Sequence, residues 1–165
     1  MRTTMQQVVI DAPDEAATVA LGCALAESLP DGTMVALQGT LGAGKTRLVQ
    51  AIAAASGVAA GVPVSPTFVL VQEYQGTRRI VHVDAYRMRD EDEFLALGGE
   101  ELFASDAIVF IEWAERIARC LPDSRLQIAI DETGASSRRF TITAIGATYE
   151  PVIGELRAWR AQRAN

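Results

Sequence analysis

Soft metal ligands are almost missing from these 165 residues: Cys23 and Cys120 are the two cysteines and His82 is the one histidine. Neither cysteine belongs to a CxxC pair, so a structural zinc site is excluded for want of ligands at close spacing. Cys23 falls on an apolar helical stripe and Cys120 near a helix end, and both are expected as buried, reduced thiols. Basic charge is also short. The formal net charge is −6, whereas a protein that grips nucleic acid unaided normally shows a basic stripe. The Arg pairs at 78–79 and 138–139 are too brief for one and are expected to be solvated strand ends. Long apolar runs are absent too. The most apolar stretch, Ala51–Val64, is broken by Ser56, Gly57, Gly61 and Pro63, and cannot span a bilayer. Met1–Ile10 has no apolar core of the signal-peptide kind. The expectation is a cytoplasmic protein with no membrane contact. With 49% apolar and 22% charged residues, it has enough apolar sequence for a real core in one domain, 1–165.

What is present alternates strand and helix signals, without repeats or a linker. Gln7–Ile10 reads as a strand. Asp11 or Asp14 can cap a helix to about Leu29, with Ala17, Leu21, Ala24, Leu25 and Ser28 on one face. After the turn Pro30-Asp31-Gly32 comes a strand, Thr33–Leu37, then a Gly-rich loop and a helix from Lys45 to Ser56 closed by Gly57. Gly61–Pro66 is expected as a loop. Thr67–Tyr74 and Arg79–Asp84 form a hairpin around Gly76. Asp90 caps a short acidic helix that Gly98-Gly99 stops. Ala107–Ile111 is a strand buried on both faces, and Glu115–Leu121 a short helix ended by Pro122. Arg125–Ile130 and Arg138–Ala144 form a second hairpin. A terminal helix from Glu150 turns Ile153, Leu156 and Trp159 inward. The fold class is α/β: a P-loop NTPase domain whose mixed sheet has a parallel core, antiparallel hairpins and flanking helices.

Gly39-Thr40-Leu41-Gly42-Ala43-Gly44-Lys45-Thr46 fits G-x-x-x-x-G-K-[ST] at every fixed position, between a strand and a helix. The spacing serves one chemistry. Glycines let successive amides turn inward as an anion nest, and the helix N-terminus adds partial positive charge there. Lys45 can span the β- and γ-phosphates of a nucleotide, and the Thr46 hydroxyl can ligate Mg²⁺. Two apolar strands end in carboxylates, Asp84 and Glu112. Brought to the cradle, they supply a metal ligand and a group that orients or deprotonates water, and spacing leaves open which does which. Guanine-specific proteins of this class read the base with N-K-x-D, but the sole Asn is Asn165. GTP is therefore excluded and ATP is the expected nucleotide.

Other segments keep two readings. Thr67, in Ser65-Pro66-Thr67-Phe68, either senses a γ-phosphate or simply leads a loop into a strand. Arg87 either touches phosphate or pairs with Asp84 or Glu112. His82 alternates with Val81 and Val83 and reads as a satisfied sheet histidine. Trp113 is either a core anchor or a ring against a partner. Asp90–Glu93 reads as a solvated face at a helix start.

Together these segments resemble the TsaE (YjeE) family, small ATPases of bacterial tRNA threonylcarbamoyladenosine synthesis. The matching residues are Pro13-Asp14-Glu15-Ala16-Ala17-Thr18, the cradle Leu41–Thr46, and Ser65-Pro66-Thr67-Phe68. They continue with His82-Val83-Asp84-Ala85-Tyr86-Arg87, Leu97-Gly98 and Ile111-Glu112-Trp113. The resemblance implies that Leu41, Gly42, Ala43, Gly44, Lys45, Thr46 and Arg47 bind ATP, with Lys45 and the Gly42–Thr46 amides on its phosphates. It implies Thr46 and Glu112 as Mg²⁺ ligands, and Asp84, Glu112, Thr67 and Lys45 as the hydrolytic set. Trp113 would lie beside the nucleotide, bordered by Asp14 and Arg138. The family's partners are TsaD and TsaB, and tRNA would be met through them, which suits an acidic chain. Thr40 stands where the family usually has an acidic residue, and Arg47 where a second Thr is common. Neither change removes a group the cradle needs. Two rival functions remain at this stage: a small metabolite kinase, for which only Arg116 and Arg119 suggest a lid, and a nucleotide-dependent interaction module with negligible turnover.

Overall fold

The computed structural model describes residues 5–59 and 70–165. In chain order the elements are β1 (Gln6–Ala12), α1 (Glu15–Ser28), β2 (Met34–Gln38), α2 (Lys45–Ala55), β3 (Val71–Gln75), β4 (Arg79–Asp84), α3 (Glu91–Ala96), α4 (Gly99–Ala104), β5 (Ile108–Glu112), a 3₁₀ segment Ala114–Cys120, β6 (Arg125–Glu132), β7 (Arg138–Ile145), a 3₁₀ turn Ala147–Tyr149, and α5 (Glu150–Arg163). The strands form one sheet in the order β1-β7-β6-β2-β5-β4-β3. Its centre is parallel, β2 pairing with β5 and β6, and β4 with β5. The β3–β4, β6–β7 and β1–β7 pairs are antiparallel. This is the expected mixed α/β sheet of the P-loop NTPase fold.

Alternation along the central strands divides the core in two. All of β5 is buried, as are Met34–Leu37 of β2, because helices cover both faces. Val35, Leu37, Ile108 and Phe110 enter one cluster with Leu21 and Leu25 of α1, Leu48 and Ile52 of α2, and Ile153 and Leu156 of α5. Met34, Ala36, Val109 and Ile111 enter the other with Phe94 and Ile117. Each such aliphatic side chain contributes about 1.5–3 kcal/mol by leaving water.

Several expectations hold and several do not. Asp14, not Asp11, caps α1, its Oδ1 accepting from the Ala17 amide at 2.8 Å. Gly57 closes α2 with φ 82°. Trp159 packs half-buried against the first cluster. Cys23, however, is exposed and Cys120 half-buried. The buried stripe of α1 is Thr18, Leu21, Gly22, Ala24 and Leu25, and Cys23 lies about 200° around the helix from Leu21. Gly98-Gly99 stops α3 as expected, but a second short helix follows that the sequence did not announce. Gly98, at φ 83°, turns the chain into α4. The segment after Trp113 is 3₁₀ rather than α, broken at Ile117.

The arginine pairs are not merely solvated strand ends. Arg78 bonds Asp31, Ala26 O and Leu29 O, Arg79 pairs with Glu73, and Arg139 with Asp11. The acidic helix start is solvated at Asp90 and Asp92, as expected, and its carboxylates also serve the backbone. Asp90 accepts from the Glu93 amide, Glu93 from the Arg89 amide, and Glu91 from the Arg119 amide, so its charges cap backbone. The expected loop 61–66, Thr67 and the start of the strand 67–74 lie outside the described residues.

Candidate functional site

The loop between β2 and α2 turns on glycine. Gly42 and Gly44 have φ of 82° and 110°, in the left-handed region where a side chain costs about 1–2 kcal/mol. Gly44 itself caps α2 without a side chain, leaving the first helical amides to whatever enters the loop. Lys45, the chain's single lysine, opens α2 at 5% exposure. Its Nζ donates to Gly39 O at 2.7 Å and Thr40 O at 3.0 Å. Burial pushes the ammonium below the usual lysine range, partly offset by the charges of Glu112, Glu115 and Asp84.

Strand parity brings the carboxylates here. Ile108 and Phe110 face the α2 side of the sheet, so Glu112, two residues on, faces it as well. Asp84 pairs with Glu112 across the β4–β5 ladder. The Thr46 hydroxyl donates to Glu112 Oε1 at 2.6 Å, and His82 Nε2 lies 2.8 Å from the same oxygen. Burial raises the Glu112 pKa, but the hydrogen bonds from His82 and Thr46 and the charge of Lys45 outweigh it, holding the group below the usual carboxylate range. Asp84 is half-buried, and its Oδ1 accepts from the Tyr86 amide at 2.9 Å.

Trp113 is the described non-glycine residue with positive φ, 58°, a conformation that costs on the order of 1–3 kcal/mol. The turn lays the indole over Lys45 Nζ, 4.4 Å from the ring centroid, and 4.9 Å from the Tyr86 ring. Trp113 is thus a wall of the site as much as a core residue.

The open cleft between these groups measures about 470 Å³, and Leu41, Gly42, Gly44, Lys45, Thr46, Arg47, Asp84, Arg87, Glu112 and Trp113 line it. Leu41 is 84% exposed at its rim. Arg87 faces the cleft and pairs with neither carboxylate among the described residues. Ala43 is buried beneath the loop, and Arg138 Nε donates to its carbonyl at 2.8 Å. Arg138 and Arg47 also line a smaller recess of about 280 Å³ on the far side of the loop, where Arg47 pairs with Glu15. Asp14 is not in the cleft; it lines a separate recess beside α5. Thr67 lies outside the described residues. Arg116 sits over the Tyr86 ring, and the Arg119 backbone amide donates to the Glu91 carboxylate.

The arrangement is an anion cradle with a hydroxyl and a carboxylate at its edge. Among the described residues no group of three or more His, Cys, Asp or Glu gathers to hold a metal. The oxygen pair Thr46–Glu112 is sparse, and that suits a hard divalent cation that keeps water and phosphate ligands. His82 is the site residue least legible in sequence. Beyond its place in the segment His82–Arg87, its signal is parity, since Ile80, His82 and Asp84 share the face that Glu112 occupies on the next strand.

A sequence model for the family described as "Threonylcarbamoyl adenosine biosynthesis protein TsaE" matches residues 12–140. The chain is 41% identical over 126 residues to the tRNA threonylcarbamoyladenosine biosynthesis protein TsaE of Bacillus subtilis, covering 76% of this chain and 78% of that one. It is 32% identical over 160 residues to the protein of the same name from a Nostoc species, covering 91% and 98%. The crystal structure of Bacillus subtilis YdiB superposes with a TM-score of 0.81 at 31% identity, covering 98% of this chain and 99% of that one. Among the described residues no helix is long and apolar enough to cross a membrane. With the motif order, the fold and these relatives in agreement, the chain belongs to the TsaE family.

Proposed function

We propose that this protein is an ATPase of tRNA threonylcarbamoyladenosine biosynthesis, working in the cytoplasm with TsaD and TsaB and meeting tRNA through them. One observation supports it above the rest: the Thr46 hydroxyl is tied to Glu112 at 2.6 Å beside a lysine-bearing glycine cradle. A hydroxyl and an ionised carboxylate held together at a phosphate nest are what Mg-ATP needs from a protein. Lys45 exchanges its two carbonyl partners for β- and γ-phosphate oxygens, while the Gly42–Thr46 amides hold the remaining charge. Magnesium, when bound, neutralises charge on those phosphates. Thr46 and Glu112 hold it. Asp84 keeps one oxygen on the Tyr86 amide, which leaves the other to orient the attacking water. Thr67 supports hydrolysis from its own segment. Trp113 walls the nucleotide, and Arg47 and Arg138 stand on the loop's other side, where a base or ribose has room. Asp14 acts at a distance through the start of α1.

The test is ATP turnover by the purified protein alone and with TsaD–TsaB. Slow hydrolysis alone and faster hydrolysis with the complex are expected. Absence of Mg-ATP binding, or indifference to the complex, overturns the proposal.

A further inference from the structure

Buried polar rings are costly unless their nitrogens find partners, and His82 meets that condition by half. Its side chain is fully buried, its Nε2 lies 2.8 Å from Glu112 Oε1, and its Nδ1 has no hydrogen-bond partner among the described residues. Its strand neighbours Val81 and Val83 are equally buried, so an aliphatic residue at 82 would fill the same space without an unpaired nitrogen. The one polar contact of the ring among the described residues is Glu112, so the histidine is here to serve that carboxylate. Local rules broken in this way concentrate at functional positions.

The same Oε1 also accepts from the Thr46 hydroxyl. A hydroxyl has one proton, so once that proton is committed to Glu112, both lone pairs of Thr46 Oγ1 are free to face a cation. The direction of the hydroxyl depends on where Oε1 sits. Oε1 in turn is pinned from the β4 side by the imidazole.

We propose that His82 is a positioning residue for the metal ligands. Its Nε2–H fixes the Glu112 carboxylate, which orients the Thr46 hydroxyl and presents a preformed oxygen pair to Mg²⁺. This rests on the assignment of Thr46 and Glu112 as magnesium ligands. Partners of this outer kind orient the groups that touch the ion, and their loss typically costs 10–100-fold in metal affinity.

The test compares ATP binding by calorimetry in Mg²⁺ and in EDTA for wild type, His82→Leu and His82→Gln. The Gln amide can place a donor near the position of Nε2, while Leu fills the space without one. His82→Leu is expected to lose roughly tenfold or more of the affinity that Mg²⁺ adds, with binding in EDTA unchanged, and His82→Gln to recover most of it. An equal Mg²⁺ gain in His82→Leu, an equal loss with and without Mg²⁺, or no recovery in His82→Gln overturns the proposal.

Wild-type protein that gains nothing from Mg²⁺ defeats the magnesium assignment itself. A wild-type gain that His82→Leu shares defeats only the positioning role. A second measurement needs no variant. The chain has one histidine, so its ¹⁵N spectrum is unambiguous. The proton is expected on Nε2, and finding it on Nδ1 with Nε2 bare overturns the proposal, since a bare nitrogen cannot donate to a carboxylate.

Discussion

The parallel strands β2, β5 and β4 and the strands β6, β7 and β1, joined to one another by antiparallel pairs, belong to one sheet, with β6 also parallel to β2, yet the cleft is lined from the first three and the loops that follow them, and by none of the others. The reason is direction. Parallel neighbours all end at the same edge, so the chain after β2, after β4 and after β5 converges there, and ligands of open α/β sheets sit outside those carboxyl ends. Antiparallel neighbours alternate their ends and gather no such cluster. Their contribution is a packed face, with Phe140, Ile142 and Ala144 buried without exposure, and one polar arm, Arg138, against the back of the cradle. One half thus supplies chemistry, the other mainly support.

That division can be broken or sharpened by mutation. The largest effect is expected from Ile142→Ala in the supporting half. Loss of most of a fully buried isoleucine should lower unfolding free energy by about 2–5 kcal/mol in urea melts, with the ATP dissociation constant of the folded fraction unchanged. A changed constant would show that the halves are not separable. Lys45→Ala should do the reverse. Losing two charge-assisted bonds at roughly 1.5 kcal/mol each weakens Mg-ATP binding by about a hundredfold. The urea midpoint should barely move, because removing a buried ammonium also removes its desolvation cost.

Arg138→Ala crosses the divide. It removes a donor from Ala43 O, and a several-fold loss of ATP affinity, roughly 1 kcal/mol, is expected by calorimetry; no loss would make Arg138 purely structural. The smallest effect belongs to Asp11→Asn. The hydrogen bond from Arg139 holds the Asp11 carboxyl below its ordinary value of 3.8. A depressed folded pKa gives stability that is present above the unfolded value and lost as pH falls through the folded one. The variant should therefore melt slightly below wild type at neutrality, by a difference that closes as pH falls below 3.8.

The parallel half was legible in sequence because its signals are local. An apolar run fixes a strand buried on both faces, the glycine pattern fixes the turn after β2, and a carboxylate closing each of two strands marks the edge. Parity even places His82, Asp84 and Glu112 on one side. Sequence spacing did not reveal that Thr46 and His82 would meet on one oxygen of Glu112, since that depends on the register of β4 against β5 and on the seat of α2. The exposure of Cys23 turned on where α2 and α5 cover α1, and a helical stripe read alone leaves its edges undefined. The arginine pairs looked like solvated ends because their partners, Asp31, Glu73, Asp11 and the Ala43 carbonyl, are brought to them by tertiary folding. The second short helix at Gly99 was hidden by two glycines that ordinarily stop one.

The pairing of β1, at residues 6–12, with β7, at residues 138–145, has a consequence for how the chain assembles. Val8 and Ile10 stay without their backbone ladder until β7 has been made, and α5, which packs on β1, follows β7 in the chain. The parallel centre can collapse while β1 waits. Such long-range closure slows folding and leaves an apolar edge open to wrong partners in the interval. The joining of β1 to β7 is therefore the pairing that spans the most sequence in this sheet.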